Sequence, residues 1–163
     1  GTIESNIKYA NENISDEKMQ QAAKIAQAVE FIDEKPEKYE SEIAQGGNNV
    51  SGGQKQRLAI ARAIAKDPEI FVFDDSFSAL DFKTDATLRE ALAKNTKNKT
   101  SIIVAQRIST ILNADKIIVL DDGKIVGQGT HEELMKNNEV YREIALSQLS
   151  EQELMQNKDE RRE

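Results

Sequence analysis

The sequence is short of several residue types, and each shortage excludes a class of protein. It has no cysteine and no tryptophan, and His131 is the single histidine. A disulfide scaffold and a thiolate zinc site are therefore excluded, as is a metal site built on several histidines. Acidic residues outnumber basic ones by 29 to 22, which gives a net charge of −7. Such an acidic domain is a poor candidate for a general nucleic-acid binder.

Long hydrophobic runs are also absent. The longest uninterrupted apolar stretches, among them residues 70–73, 102–105 and 117–120, are only a few residues long, whereas a membrane-spanning helix needs about 20 apolar residues. The 163 residues fit one domain of ordinary size or a large part of one. The first residue is Gly1 rather than Met, and we expect the chain to be a piece of something longer.

Helical periodicity alternates with the apolar runs along most of the chain. A first helix is capped by Ser15 and its pattern continues towards Pro36. Apolar runs without alternation are typical of strands buried on both faces of a parallel sheet. Asp122-Gly123 predicts a tight hairpin, and Thr130 with Glu133 predicts a capping box. Further helices are expected at about 53–66, 84–95, 108–113, from 131 onwards and at 140–148. The pattern indicates an α/β fold with a mainly parallel sheet.

One segment has the chemistry of an anion site. Ser51-Gly52-Gly53-Gln54 stands at the start of a predicted helix, where free backbone N–H groups and a hydroxyl suit phosphate. The plainer alternative is a glycine-rich loop with a serine cap.

Three further signals follow along the chain. Asp74 ends the apolar run 70–73, where a carboxylate can hold Mg²⁺ beside nucleotide phosphates. The alternative for Asp74 is an acid that caps the next turn. Ser78-Ala79-Leu80-Asp81 lies just downstream, and Gln106 closes the next apolar run.

In order and spacing these residues resemble the nucleotide-binding domain of ABC transporters of the exporter type. They correspond to the signature motif (Ser51 to Gln54), the Walker B strand with Asp74, the D-loop (Ser78 to Asp81) and the switch position Gln106. The resemblance implies part of a P-loop NTPase (RecA-like) parallel sheet with an inserted helical subdomain that carries the signature. It places that subdomain at 1–66, the C-terminal part of the ATPase core at 67–149 and a polar tail at 150–163.

The resemblance also implies ligands and roles. The cofactors are ATP and Mg²⁺, with Asp74 at the metal and Asp75 and Gln106 at the catalytic positions. The residues expected at the nucleotide are Ser51, Gly52, Gly53, Gln54, Ser78 and Asp81.

Partners and location follow from the same resemblance. A second nucleotide-binding domain pairs head to tail, so that this chain's signature completes the partner's ATP site. A transmembrane domain of the transporter is the other partner, at the cytoplasmic face of the cell membrane, and no nucleic acid is expected.

The sequence departs from the family pattern at several positions. No G-x-x-x-x-G-K-[ST] loop is present, and we expect it upstream in the parent protein. Active members carry Glu where this chain has Asp75, and His where it has Gln106; Val50 replaces the usual Leu. The two catalytic departures resemble the degenerate half of a heterodimeric exporter, and without the loop this chain by itself is expected to be inactive.

Two other functions stay open at this stage. A soluble ABC ATPase acting on nucleic acid is disfavoured by the acidic balance and by the lack of a heptad run. A non-enzymatic docking module is the other alternative. His131 is expected to be a first-turn helix residue rather than a catalytic one. Because the runs at 70–73 and 102–105 need neighbours on both sides, an exposed apolar patch is also expected there.

Overall fold

The computed structural model describes residues 1–11 and 13–148. They divide into two compact units, Gly1–Val104 and a second unit that begins at Ala105. The predicted polar tail at 150–163 lies outside the described residues. No helix within the described residues has both the length and the apolar character needed to span a membrane.

Four α-helices make up most of the first unit before its strands. They are α1 (Ile3–Ile7), α2 (Asp16–Ile25), α3 (Val29–Asp33) and α4 (Gly52–Lys66). Ser15 caps α2 as predicted, through its side chain and the amide of Lys18. The prediction that one helical pattern runs on past Val29 is wrong, because Gln27 adopts a left-handed conformation (φ 55°) and separates α2 from α3.

Small side chains let these helices approach one another closely. Ala22 and Ala23 of α2 and Ala61 of α4 are fully or almost fully buried, so the helices meet with little between them. Arg62 adds a polar tie, since its guanidinium donates to the backbone oxygen of Asn6 (2.7 Å) and to the side-chain oxygen of the same residue (3.0 Å). Helix α4 is therefore fixed against the N-terminal part of the unit.

Two parallel strands complete the first unit. Strand β1 (Ile70–Asp74) pairs with β2 (Thr100–Val104) in a register that sets Val72 beside Ile102. Helix α5 (Phe82–Asn95) connects them, as a parallel crossover requires. This parallel pair, flanked by helices, confirms the predicted α/β class.

The strands are not buried on both faces, so that expectation is wrong. Phe71 and Phe73 are buried, but Ile70 and Val72 are 58% and 65% exposed. Ile102 and Val104 are also more than half exposed. The helices of the described part of the chain cover only one face of the pair. The prediction of an exposed apolar patch is confirmed, and we call these four side chains the open strand face.

The second unit is a hairpin with helices. Strand β3 (Ile117–Asp121) pairs antiparallel with β4 (Lys124–Gly129), and the positive φ angles of Asp122 and Gly123 make the predicted tight turn. Its helices are α6 (Ile108–Ile111), α7 (His131–Asn137) and α8 (139–148). Among the described residues, parallel pairing is thus confined to β1 and β2, and β3 does not extend it.

Candidate functional site

The signature segment, Ser51 to Gln54, forms the start of α4. The Ser51 hydroxyl accepts from the amide of Gln54 (3.2 Å), and the Gln54 side chain accepts from the amide of Ser51 (3.0 Å). This reciprocal pair is a capping box. The serine-cap reading is therefore correct as a structural description.

The cap leaves backbone donors at the helix start. The first helical hydrogen bond runs from the amide of Lys55 to the carbonyl of Ser51 (2.9 Å). The amides of Gly52 and Gly53 precede it and are the donors that an anion at this terminus would meet. The first turn contains no acidic residue, so the positive end of the helix dipole is not neutralised locally.

The glycines of the signature pack against the loop after β1. A Cβ on Gly53 would lie 3.0 Å from the carbonyl oxygen of Ala79, whereas a Cβ on Gly52 would meet only the Ala79 methyl group at 3.5 Å. Position 53 thus needs glycine for close backbone approach. The signature and the segment 75–81 are parts of one packed arrangement.

Asp74 and Asp75 mark the end of β1, and both are exposed. The amide of Asp75 donates to the carbonyl of Val104 (3.3 Å), which ties it to the end of β2. Its backbone is left-handed (φ 47°), a conformation that costs energy for a residue with a Cβ and that aspartate tolerates better than most residues. The chain therefore turns sharply at the predicted catalytic carboxylate.

Sequence reasoning missed one residue at this place, Gln56. Its amide group contacts three residues of the turn: it accepts from Ala79 N (3.0 Å) and donates to Asp75 O (3.2 Å) and Ser78 Oγ (3.0 Å). A usable signal was present, because Gln56 follows Gly53 by three positions. Residues three apart share a helix face, so Gln56 faces whatever packs on the glycine.

The two D-loop residues of the prediction have structural contacts. Ser78 accepts from Gln56 and donates through its hydroxyl to Asp75 O (3.1 Å). Asp81 caps α5, with its carboxylate accepting from the amide of Thr84 (3.0 Å). That backbone hydrogen bond holds the pKa of Asp81 below its usual range.

Gln106 belongs to the second unit. Its backbone oxygen accepts from the Gln148 side chain (2.6 Å), and its side chain is exposed. The first unit therefore brings together the signature, Asp75 and Ser78, while Gln106 is held by α8. His131 is the first residue of α7, as predicted, and its ring nitrogen lies 2.8 Å from the hydroxyl of buried Tyr141.

The donor set at the strand end fits magnesium bound beside phosphates. The described residues contain no group of three or more His, Asp or Glu side chains placed to hold a metal ion. Mg²⁺ does not need such a cage, since it usually keeps several waters and uses one or two carboxylates plus substrate phosphates. The exposed carboxylate of Asp74 at the end of β1 suits that mode.

Comparison with known proteins gives one consistent result. Residues 2–78 match the family described as ABC transporter. Over 147 residues the chain is 44% identical to human ATP-binding cassette sub-family B member 5, covering 90% of this chain and 12% of that protein. It is 45% identical over 148 residues to an uncharacterised ABC transporter ATP-binding protein of Bacillus subtilis, covering 91% of this chain and 26% of that protein.

A solved structure agrees. The chain resembles a bacterial Atm1-family ABC exporter with ATP bound, with a TM-score of 0.85 and 38% identity, over 88% of this chain and 25% of that one. The chain thus spans about a quarter or less of the length of these relatives.

Proposed function

We propose that the chain belongs to the ABC transporter family, which its residues 2–78 match, and that it is part of the ATP-binding domain of an exporter that couples ATP binding and hydrolysis to substrate export. The observation that carries this proposal is the packing of the signature glycines of α4 against the loop that follows Asp74 and Asp75. An anion-binding helix start and a strand-end carboxylate are the two features that nucleotide phosphates and their magnesium require.

The two halves of this arrangement have different tasks in the proposal. Gly52 and Gly53 offer amides to the γ-phosphate of the nucleotide held by a partner domain. Asp74 would hold Mg²⁺ at this chain's own site, and the ion would supply positive charge that offsets the charge of the phosphates. Both roles are electrostatic, and electrostatic stabilisation supplies much of the catalysis of phosphoryl transfer.

The chain's own site is proposed to be the slower one of a pair. Asp75 is one methylene shorter than the glutamate of active members, and a general base must come within about 2.6–3.2 Å of its proton or act through one water. Gln106 donates and accepts hydrogen bonds but cannot be protonated. Two departures at two positions lower the catalytic capacity of one site and leave the signature to serve the other.

The proposed partners are a second ATP-binding domain in a head-to-tail dimer and a transmembrane domain, at the cytoplasmic face of the membrane. The transporter names of the relatives support this arrangement. The chain's net charge of −7 argues against nucleic acid as a partner, because an acidic surface repels the phosphate backbone.

The test is the steady-state ATPase rate of the full-length transporter with an unaltered partner. Gly52→Asp should nearly abolish turnover, because it places bulk and negative charge at the partner's γ-phosphate. Asp75→Asn should cost much less, because it alters a site that is already slow. Gln20→Ala, at an exposed position of α2, is the control and should match the unaltered protein.

The two results separate the assignments. If Asp75→Asn stops turnover as completely as Gly52→Asp, this chain holds the principal catalytic site and the degenerate assignment is wrong. If the unaltered transporter hydrolyses no ATP, the proposed function itself is wrong.

A further inference from the structure

We propose that Gln56 is a positioning residue that locks the turn after β1 to the signature helix, so that the partner-facing motif and this chain's own carboxylates respond as one unit. The functional part of this inference rests on the proposed function. Its structural part rests on α4 and the segment 75–79 alone.

The Gln56 amide makes three hydrogen bonds, which together fix its orientation. The side-chain oxygen accepts from Ala79 N (3.0 Å), and the side-chain nitrogen donates to Asp75 O (3.2 Å) and to Ser78 Oγ (3.0 Å). An acceptor and a donor are needed at the same time, so neither a carboxylate nor an apolar side chain of similar length reproduces the set.

These contacts fall on the strained point of the turn. Asp75 has left-handed backbone, and such a conformation persists only where surrounding contacts over-determine it. The carbonyl oxygen of Asp75 accepts hydrogen bonds from the Gln56 side chain (3.2 Å) and from the Ser78 hydroxyl (3.1 Å). Gln56 therefore stabilises the conformation that aims the Asp75 carboxylate.

Helix α4 also holds the loop on the other side of the signature. The Lys55 ammonium donates to the carbonyl of Gly46 (3.0 Å), so adjacent side chains of one helical turn reach the loop before the signature and the turn after β1. With Gly53 close to Ala79 O as well, a shift of the helix start displaces the turn at Asp75. The partner's nucleotide and the position of this carboxylate are coupled through this helix.

The first test uses this chain and no nucleotide. Gln56→Met keeps the side-chain length and the helix propensity but removes both polar ends. Amide hydrogen exchange of Ala79, followed by NMR, should become about tenfold faster in Gln56→Met, as expected for the loss of a hydrogen bond of ordinary strength. Gln56→Glu keeps the acceptor and should retain most of the Ala79 protection. Gln20→Ala should change nothing at Ala79, and unchanged exchange in Gln56→Met would overturn the structural part.

The second test uses the full-length transporter. Gln56→Met should lower kcat for ATP about tenfold and leave KM within about twofold, because the start of the signature helix loses its fixed position at the partner's γ-phosphate while nucleotide binding is kept. Combining it with Ser78→Ala should give less than the sum of the two effects, since both act on Asp75 O. A purely structural role predicts equal kcat in the folded fraction, and that result overturns the functional part. An unaltered transporter without ATPase activity would instead contradict the proposed function and leave the exchange result standing.

Discussion

The two adjacent glycines of the signature both contact Ala79, but they contact different atoms of it. Gly52 faces the Ala79 methyl group at an ordinary distance, while Gly53 faces the backbone oxygen of Ala79 closely enough that an added Cβ would press on it. The Gln56 contacts hold the same turn, so that oxygen has little freedom to move away. Tight packing at a single carbon is enough to distinguish two residues that look equivalent in the sequence.

We therefore expect Gly53→Ala to be less stable than Gly52→Ala by about 1–2 kcal/mol, the usual cost of overpacking. Both substitutions gain the same intrinsic helix preference, so their difference isolates the contact with Ala79. Urea unfolding of the two variants measures it. Equal midpoints and slopes for the two variants would show that the turn yields without cost.

At the residue scale, helix caps could be predicted from the sequence, whereas the hydrogen bonds of Gln56 to the turn after β1 could not. Ser15 and Thr130 stand before helices in the sequence, and each caps its helix as predicted, because capping is a local interaction within four residues. Asp81 also caps a helix, α5, although its motif predicts a residue at the nucleotide. Gln56 bonds residues 19 to 23 positions away. Its partners depend on the packing of α4 on the turn, and periodicity does not encode that.

At the scale of elements, the N-cap residue of α4 has both a structural role and a proposed chemical role. Ser51 caps the helix, and the same hydroxyl stands beside the amides offered to phosphate. Loss of the cap and loss of phosphate binding would both reduce activity, so an alanine variant alone does not separate the two roles.

A pair of substitutions separates them. Ser51→Asp retains a capping acceptor, and aspartate caps about as well as serine, so the free energy of unfolding should stay near the unaltered value. ATP turnover of the full-length transporter should nevertheless collapse, because a negative charge then faces the γ-phosphate. Ser51→Ala should lose about 1 kcal/mol of stability. Thr130→Ala is a matched cap loss on α7, away from the signature, and should lose a similar amount and keep its turnover. Normal turnover in Ser51→Asp would contradict the phosphate role.

Strand existence was predictable and strand burial was not. The apolar runs at 70–73, 102–105 and 117–120 all give strands within two residues of the bounds of the runs. Burial depends on which elements cover each face. A run of apolar residues shows that a strand is compatible with burial on both faces, but not that both faces are covered. The described chain covers one face of β1 and β2, and β3 pairs with the strand that follows it.

At the scale of the whole molecule, the chain holds only part of what a nucleotide needs. No lysine-bearing phosphate loop occurs in its sequence. The amides of Gly52 and Gly53 are proposed to serve a partner's nucleotide. We therefore expect calorimetric titration of this chain with Mg-ATP to show no binding near a Kd of 1 μM, about −8 kcal/mol. Heat that fits a low-micromolar site would show that the described carboxylates and amides suffice without that loop.

The open strand face determines how the isolated chain behaves in solution. Ile70, Val72, Ile102 and Val104 expose apolar side chains on two paired strands, and such a patch favours association over solvation. We expect sedimentation velocity to show self-association that increases with concentration. The double variant Val72→Lys with Ile102→Glu places opposite charges directly across the strands, which supports pairing and keeps the net charge at −7. It should sediment as a monomer. Ala59→Lys with Gln20→Glu adds the same two charges at exposed helix positions and should associate like the unaltered chain. A monomeric unaltered chain at every concentration would show that this face is tolerated in water.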